Sequence, residues 1–166
     1  IIVDLRDNSG GVPLGLAGYL TDQDITLGQM EYFDKALGKF AANGSPDTFS
    51  PKQPQYRFDK IAVMVGLNCA SACEIEAYAL GQLPDAVIVG FYPSGGIEAE
   101  VSKGQVKMPE GINMQFPTGR IVNPDGSLFL EGEGVQPTIQ VPLTAANILS
   151  KVVVVLQAAL QAIGVK

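Results

Sequence analysis

Short apolar runs alternate along this chain with segments of helical period. Residues 1–5, Ile-Ile-Val-Asp-Leu, read as a buried strand, and residues 61–67 and 86–89 repeat that pattern between Gly, Pro, Asn and Asp punctuation. Apolar spacing predicts helices over residues 12–20, 29–41 and 71–82. A last helix is predicted over residues 145–163, capped by Thr144 and closed by Gly164, although the β-branched run at residues 152–155 works against it. Strands that alternate with helices predict an α/β fold with a mainly parallel sheet. Residues 43–55 carry three prolines and read as an internal surface loop. Beyond Gly90 the chain turns to Gly- and Pro-punctuated short strands, two of them joined by an Asn123-Pro124-Asp125-Gly126 turn.

Composition narrows the functions open to such a fold. The 166 residues suit one domain, and 11 Lys+Arg against 17 Asp+Glu, with no basic cluster, argue against nucleic-acid and anionic-membrane partners. No apolar run reaches the length of a membrane span, Gln157 interrupting the longest. There is no histidine, so no Ser-His-Asp triad or Cys-His pair closes within these residues, and two cysteines cannot build a four-thiolate zinc site. A chain that starts inside a strand, with no lead-in, is expected to be part of something larger.

Three segments can carry chemistry. Asp4-Leu5-Arg6-Asp7-Asn8-Ser9-Gly10-Gly11 lies at a strand-to-helix junction, where paired glycines let backbone N–H groups approach an anion; the same letters spell an ordinary Asn-Ser-Gly turn. Asn68-Cys69-Ala70-Ser71-Ala72-Cys73-Glu74 places a serine at the next such junction, with the Ala72 N–H beside it as in a nucleophile elbow, while Ser71-x-x-Glu74 also spells a capping box. Cys69 and Cys73, four apart across a helix start, are poorly spaced for a disulfide and read as small core residues. In the third segment, Asp125 to Pro137, Glu131 and Glu133 point the same way if it is a strand; either carboxylate can orient a catalytic group or line a solvated edge.

Taken in order, the segments resemble the serine peptidases that include the C-terminal processing (tail-specific) proteases and the tricorn core protease. Asp4, Leu5, Arg6, Asn8, Gly10 and Gly11 match the family's Asp-Leu-Arg-x-Asn-x-Gly-Gly; Ser71, Ala72 and Glu74 match Ser-Ala-x-Glu; Glu131, Gly132, Gly134, Val135 and Pro137 match x-Glu-Gly-x-Gly-Val-x-Pro. The resemblance implies crotonase/Clp-protease-like ββα units with a mainly parallel sheet, incomplete at the N-terminus. It implies that residues 1–166 are the C-terminal part of one catalytic domain, acting on peptide or protein substrates without cofactor or metal.

It further implies an acyl-enzyme on Ser71, an oxyanion hole from the backbone N–H groups of Gly10, Gly11 and Ala72, and Glu131 in the catalytic network. Tail-specific members take the serine proton with a lysine in a Gly-Lys-Gly context; here Gly96 stands at that place, and Lys103 and Lys107 lie outside the motif. Gly95-Gly96-Ile97 is closer to the tricorn-like branch, whose base is a histidine upstream of the Asp-Leu-Arg strand. The general base is therefore expected outside this chain, leaving the isolated chain inactive or nearly so. Pairing with an N-terminal segment or with another copy is expected at the open sheet edge. The alternative is a non-catalytic ligand-binding module on the same fold. Arg120 fits either a peptide carboxylate or a surface turn, and export to the periplasm or outside the cell accords with the resemblance without being fixed by it.

Overall fold

A computed structural model describes residues 1–165. Its frame is a parallel sheet of four strands, β1 (Ile2–Asp4), β6 (Ile61–Met64), β7 (Ala86–Gly90) and β12 (Ile139–Gln140), in that spatial order. Register pairs Val3 with Val63 and Val63 with Ile88. Alternation along β6 supplies both faces of the core. Ile61, Val63 and Val65 pack with helix α1 (Ala72–Gly81), while Ala62 and Met64 pack with helix α3 (Val154–Ala162) on the opposite face. A parallel sheet covered on both faces accounts for the unbroken apolar runs in the sequence. Helix α1 is buried nearly all round, Gly81 lying so close to Ile88 that an added methyl group would stand 2.7 Å from Ile88 Cδ1.

Between β1 and β6, and again between β7 and β12, the chain departs into antiparallel structure. Strands β3 (Gln29–Asp34), β4 (Lys39–Ala42), β8 (Ala99–Glu100) and β11 (Gly119–Val122) form a second sheet in the order β4-β3-β11-β8. Strands β2 (Ile25–Thr26) and β5 (Thr48–Phe49) make one small ribbon, and β9 (Gln105–Lys107) and β10 (Asn113–Gln115) another. Met30 and Ile121 join this second sheet to the core beneath α1, and Tyr78 meets Phe129 edge-on with ring centroids 4.8 Å apart.

Several expected elements are corrected. Residues 29–41 form a hairpin, not a helix. The Asp34 carboxylate accepts the N–H groups of Ala36 and Leu37 at 2.7 and 3.1 Å, Gly38 takes φ +63°, and Phe33 and Phe40 pair across the strands. Turn chemistry and aromatic β propensity override the apolar period there. The helix expected over residues 12–20 shrinks to one 3₁₀ turn, Leu16–Tyr19, because Pro13 and a left-handed Gly15 interrupt it. The surface loop over residues 43–55 holds β5. The last helix divides into α2 (Ala145–Ile148) and α3, broken before the valine run; Thr144 caps α2 by accepting the Asn147 N–H at 3.1 Å. Arg120 lies in β11 rather than a turn, its guanidinium paired with Glu31 directly across the strands at 2.8 Å. Among the described residues no helix is long and apolar enough to cross a membrane.

Candidate active site

Three loops meet at the carboxyl ends of β1, β6 and β7, the edge where open parallel sheets place ligands. The first two interlock: the Ala70 N–H donates to the Asn8 carbonyl at 3.3 Å, and the Asn68 amide donates to Asp7 at 3.3 Å. The third lies across them, the Gly95 N–H donating to the Cys69 carbonyl at 2.7 Å and the Ser71 N–H to the Ile97 carbonyl at 2.8 Å. Each loop leaves a strand, so the sheet fixes its start while hydrogen bonds between loops fix its course.

Ser71 stands at the turn from β6 into α1 with φ +56° and ψ −127°, a conformation that costs a non-glycine residue roughly 1–3 kcal/mol. Such strain is what a nucleophile elbow uses to lift a serine hydroxyl above the sheet. Gly10 crosses directly behind it: a Cβ there would lie 2.9 Å from Ser71 Cβ and 2.8 Å from the Ala70 carbonyl oxygen. The Gly10 N–H donates to Asn8 Oδ1 at 2.9 Å, so it is turned into its own loop. The N–H groups of Gly11 and Ala72 have no partner among the described residues. Ser71, Gly11 and Ala72 line one cleft of about 400 Å³.

The elbow is held by a buried carboxylate. Glu74, in the first turn of α1 and 0 % exposed, accepts four hydrogen bonds. Its Oε1 takes Ser94 Oγ at 2.5 Å and the Gly96 N–H at 2.8 Å; its Oε2 takes the Ile97 N–H at 2.8 Å and the Ser71 N–H at 3.1 Å. Three backbone donors, a hydroxyl and the helix N-terminus replace the water that this charge loses on burial. The capping box read in Ser71 and Glu74 is present, but the carboxylate also ties the third loop beneath the elbow. Glu76, one turn-face away, plays the same part for the first loop, accepting the N–H groups of Gly15 and Leu16 at 2.5 and 2.9 Å.

The third loop explains two glycine motifs. Gly96, at φ +68°, presses on the Gly132–Gly134 turn, where a Cβ would come within 3.0 Å of the Gly132 carbonyl carbon. The Gly132 N–H donates to the Gly96 carbonyl at 2.8 Å. No lysine side chain fits at Gly96 without moving that turn. Glu131 and Glu133 lie in a turn rather than a strand: Leu130 has φ +60° and the Gly134 N–H returns to its carbonyl. Glu131 accepts the Glu98 N–H at 2.6 Å, whereas Glu133 is exposed. Lys103 rests over the Tyr32 ring, and Lys107 is exposed in β9.

Two findings were not legible in the residues. Cys69 and Cys73 form a disulfide that spans the elbow, their Cα atoms 5.4 Å apart, contrary to the sequence expectation. The strained backbone at Ser71 brings the two sides of the turn together, which sequence spacing alone does not reveal. The second is Glu98, which no motif marks. It lines the cleft beside Ser71, is 6 % exposed, and has Oε2 without a hydrogen-bond partner. Burial, with the Glu74 and Glu131 charges, pushes its carboxyl up to about 8.

Comparison with known proteins bears on the family and the fold. A profile of peptidase family S41 matches residues 1–141. A peptidase candidate from Parabacteroides merdae superposes with TM-score 0.77 at 22% identity, over 99% of this chain and 52% of its own. Mature CPAF complexed with lactacystin gives TM-score 0.70 at 18% identity, over 89% of this chain and 40% of its own. The tricorn protease gives 0.66 at 18% identity, over 97% of this chain and 14% of its own. At these identities the structures establish the fold, and the chain spans about half of the first and less of the others. No curated protein matches the chain. The match over residues 1–141 covers all three motif-bearing loops: the chain belongs to peptidase family S41.

Proposed function

We propose that the chain is the nucleophile-bearing, C-terminal part of a serine peptidase catalytic domain. Ser71 Oγ attacks the substrate carbonyl, and the oxyanion that develops is met by the N–H groups of Ala72 and Gly11. Gly10 serves by its lack of a side chain, since its N–H is engaged by Asn8. An acyl-enzyme on Ser71 is then released by water. Each oxyanion donor contributes about 3 kcal/mol to lowering such a barrier. Glu131, anchored on the Glu98 amide, orients the network that receives the serine proton.

The observation that carries this reading is the strained elbow of Ser71 sharing one cleft with two unpaired backbone N–H groups. With no histidine among the 166 residues, the general base comes from a segment outside them, and the isolated chain is inactive or nearly so. Strand β1 lies at the edge of the parallel sheet, and we assign that edge to the base-bearing segment or to a second copy of the chain. The test is peptide hydrolysis by the longer protein that contains this chain. Ser71→Ala is expected to lower kcat by about ten-thousand-fold or more. Hydrolysis retained within tenfold would overturn the reading, and binding of an apolar ligand without hydrolysis would select the non-catalytic module.

A further inference from the structure

We propose that the cleft beside Ser71 is a subsite for a basic side chain of the substrate, lysine or arginine, with the Glu98 carboxylate as its counter-ion. The proposal rests on the reading of Ser71 as the nucleophile. Three carboxylates, Asp47, Glu98 and Glu100, line the cleft, and no Lys or Arg does. Its remaining wall is partly apolar, with Met30, Ile75 and Ile121. That combination suits a side chain with a long methylene stem and a cationic head, which seeks apolar contact along its length and an acceptor at its tip.

Glu98 makes this more than an acidic rim. It is 6 % exposed and Oε2 is buried with no hydrogen-bond partner, so the folded chain bears the cost of an unsatisfied polar atom inside the cleft. An ammonium or guanidinium donor placed there satisfies it. The apolar wall beside these carboxylates fits an organic cation carried on a methylene stem. Glu100 Oε1 accepts the Ser102 N–H at 2.5 Å while its Oε2, like that of Glu98, is buried without a partner, so the cleft presents two open carboxylate acceptors, of which Glu98 is the more deeply buried.

The charges around Glu98 set the pH at which the subsite works. Glu74 from α1 and Glu131 from the turn after β11 face it, with Asp47 and Glu100 along the cleft and Lys103 beyond Glu100. All but Lys103 are acidic and favour the protonated form of Glu98 in the empty cleft. A bound cation favours the ionised form, so binding expels a proton, and preference for a basic residue rises as pH climbs toward 8 and above.

The test is calorimetric binding of two blocked tripeptides, Ala-Ala-Lys and Ala-Ala-norleucine, to the 166-residue chain at pH 6 and pH 8.5. The lysine peptide is expected to bind at least tenfold tighter at pH 8.5, with the preference shrinking several-fold at pH 6. Proton release should appear as a heat that varies with the buffer's ionisation enthalpy. Glu98→Gln is expected to bring the ratio within twofold, and Glu98→Asp to restore part of it. Equal binding of the two peptides, no binding of either at millimolar concentration, or a preference undiminished in Glu98→Gln would each overturn the proposal. Binding needs no chemistry at Ser71, so failure of the peptidase reading is seen separately, as hydrolysis that survives Ser71→Ala in the longer protein.

Discussion

Replacing Glu98 by Gln should make the chain more stable at alkaline pH, although the substitution removes a charge from beside the candidate nucleophile. In the folded chain the carboxyl keeps its proton to about pH 8, against an ordinary value of 4.5, because burial and the Glu74 and Glu131 charges oppose ionisation. Its contribution to stability is therefore fully present below pH 4.5 and is lost as pH rises through 8. Integrated between pH 5 and pH 8, that loss amounts to roughly 3 kcal/mol, a large part of a small domain's total. Glutamine has nearly the same shape and does not titrate, so the variant should lack this fall. Urea unfolding followed by circular dichroism from pH 5 to 9, at fixed ionic strength, measures the difference. The two proteins should lie close together at pH 5, with Glu98→Gln the more stable by about 3 kcal/mol at pH 8.5. Parallel stability profiles across that range would refute the reasoning, since they would mean that Glu98 titrates alike in both states.

Glu74→Gln leaves an amide group facing donors that now meet a carboxylate, and should cost roughly 3 kcal/mol in the same assay while loosening the Ser71 turn. Gly10→Ala adds a methyl 2.9 Å from Ser71 Cβ at a residue with φ +105°; a loss of roughly 2 kcal/mol and misplacement of the serine are expected, read by thermal unfolding and by fluorophosphonate labelling rate. Replacing both Cys69 and Cys73 by Ala opens a five-residue loop and should lower stability by about 2 kcal/mol in urea titration. Unchanged stability would show that the bridge constrains nothing in the unfolded chain.

What the residues disclose without a structure follows from the range of the forces involved. Strands β1, β6 and β7 and helix α1 are written in apolar runs and a capping pair, so the parallel core and the position of Ser71 at a strand-to-helix junction are legible. The β3–β4 hairpin is not, because Met30, Tyr32 and Phe33 fit a helical period as well as a strand until the Asp34 turn and the long-range pairing with β11 decide it. The disulfide depends on a backbone turn at Ser71 that no spacing rule contains. Glu131 is read as part of the catalytic network, yet its visible bond is to the Glu98 amide, and Glu98 itself is inconspicuous in sequence. Its character comes from burial and from two carboxylates brought near by folding, one from α1 and one from a turn 33 residues away.

The candidate oxyanion site shows the same division. The paired glycines announce a loop where backbone can approach Ser71, and the structure then separates their uses. Gly10 yields the space for the elbow and spends its N–H on Asn8, while Gly11 and Ala72 line the cleft and their N–H groups have no partner among the described residues. A motif match treats the two glycines as equivalent; hydrogen-bond geometry does not.

The central claim is that Ser71 is the nucleophile and that its base lies outside this chain. The direct measurement is fluorophosphonate labelling of the longer protein and of the 166-residue chain, with the modified residue located by tandem mass spectrometry. The account predicts prompt, stoichiometric modification of Ser71 in the longer protein, none after Ser71→Ala, and little or none in the isolated chain. Modification at another serine, or labelling of Ser71→Ala at the original rate, would contradict the assignment of the nucleophile; prompt labelling of the isolated chain would contradict the external base.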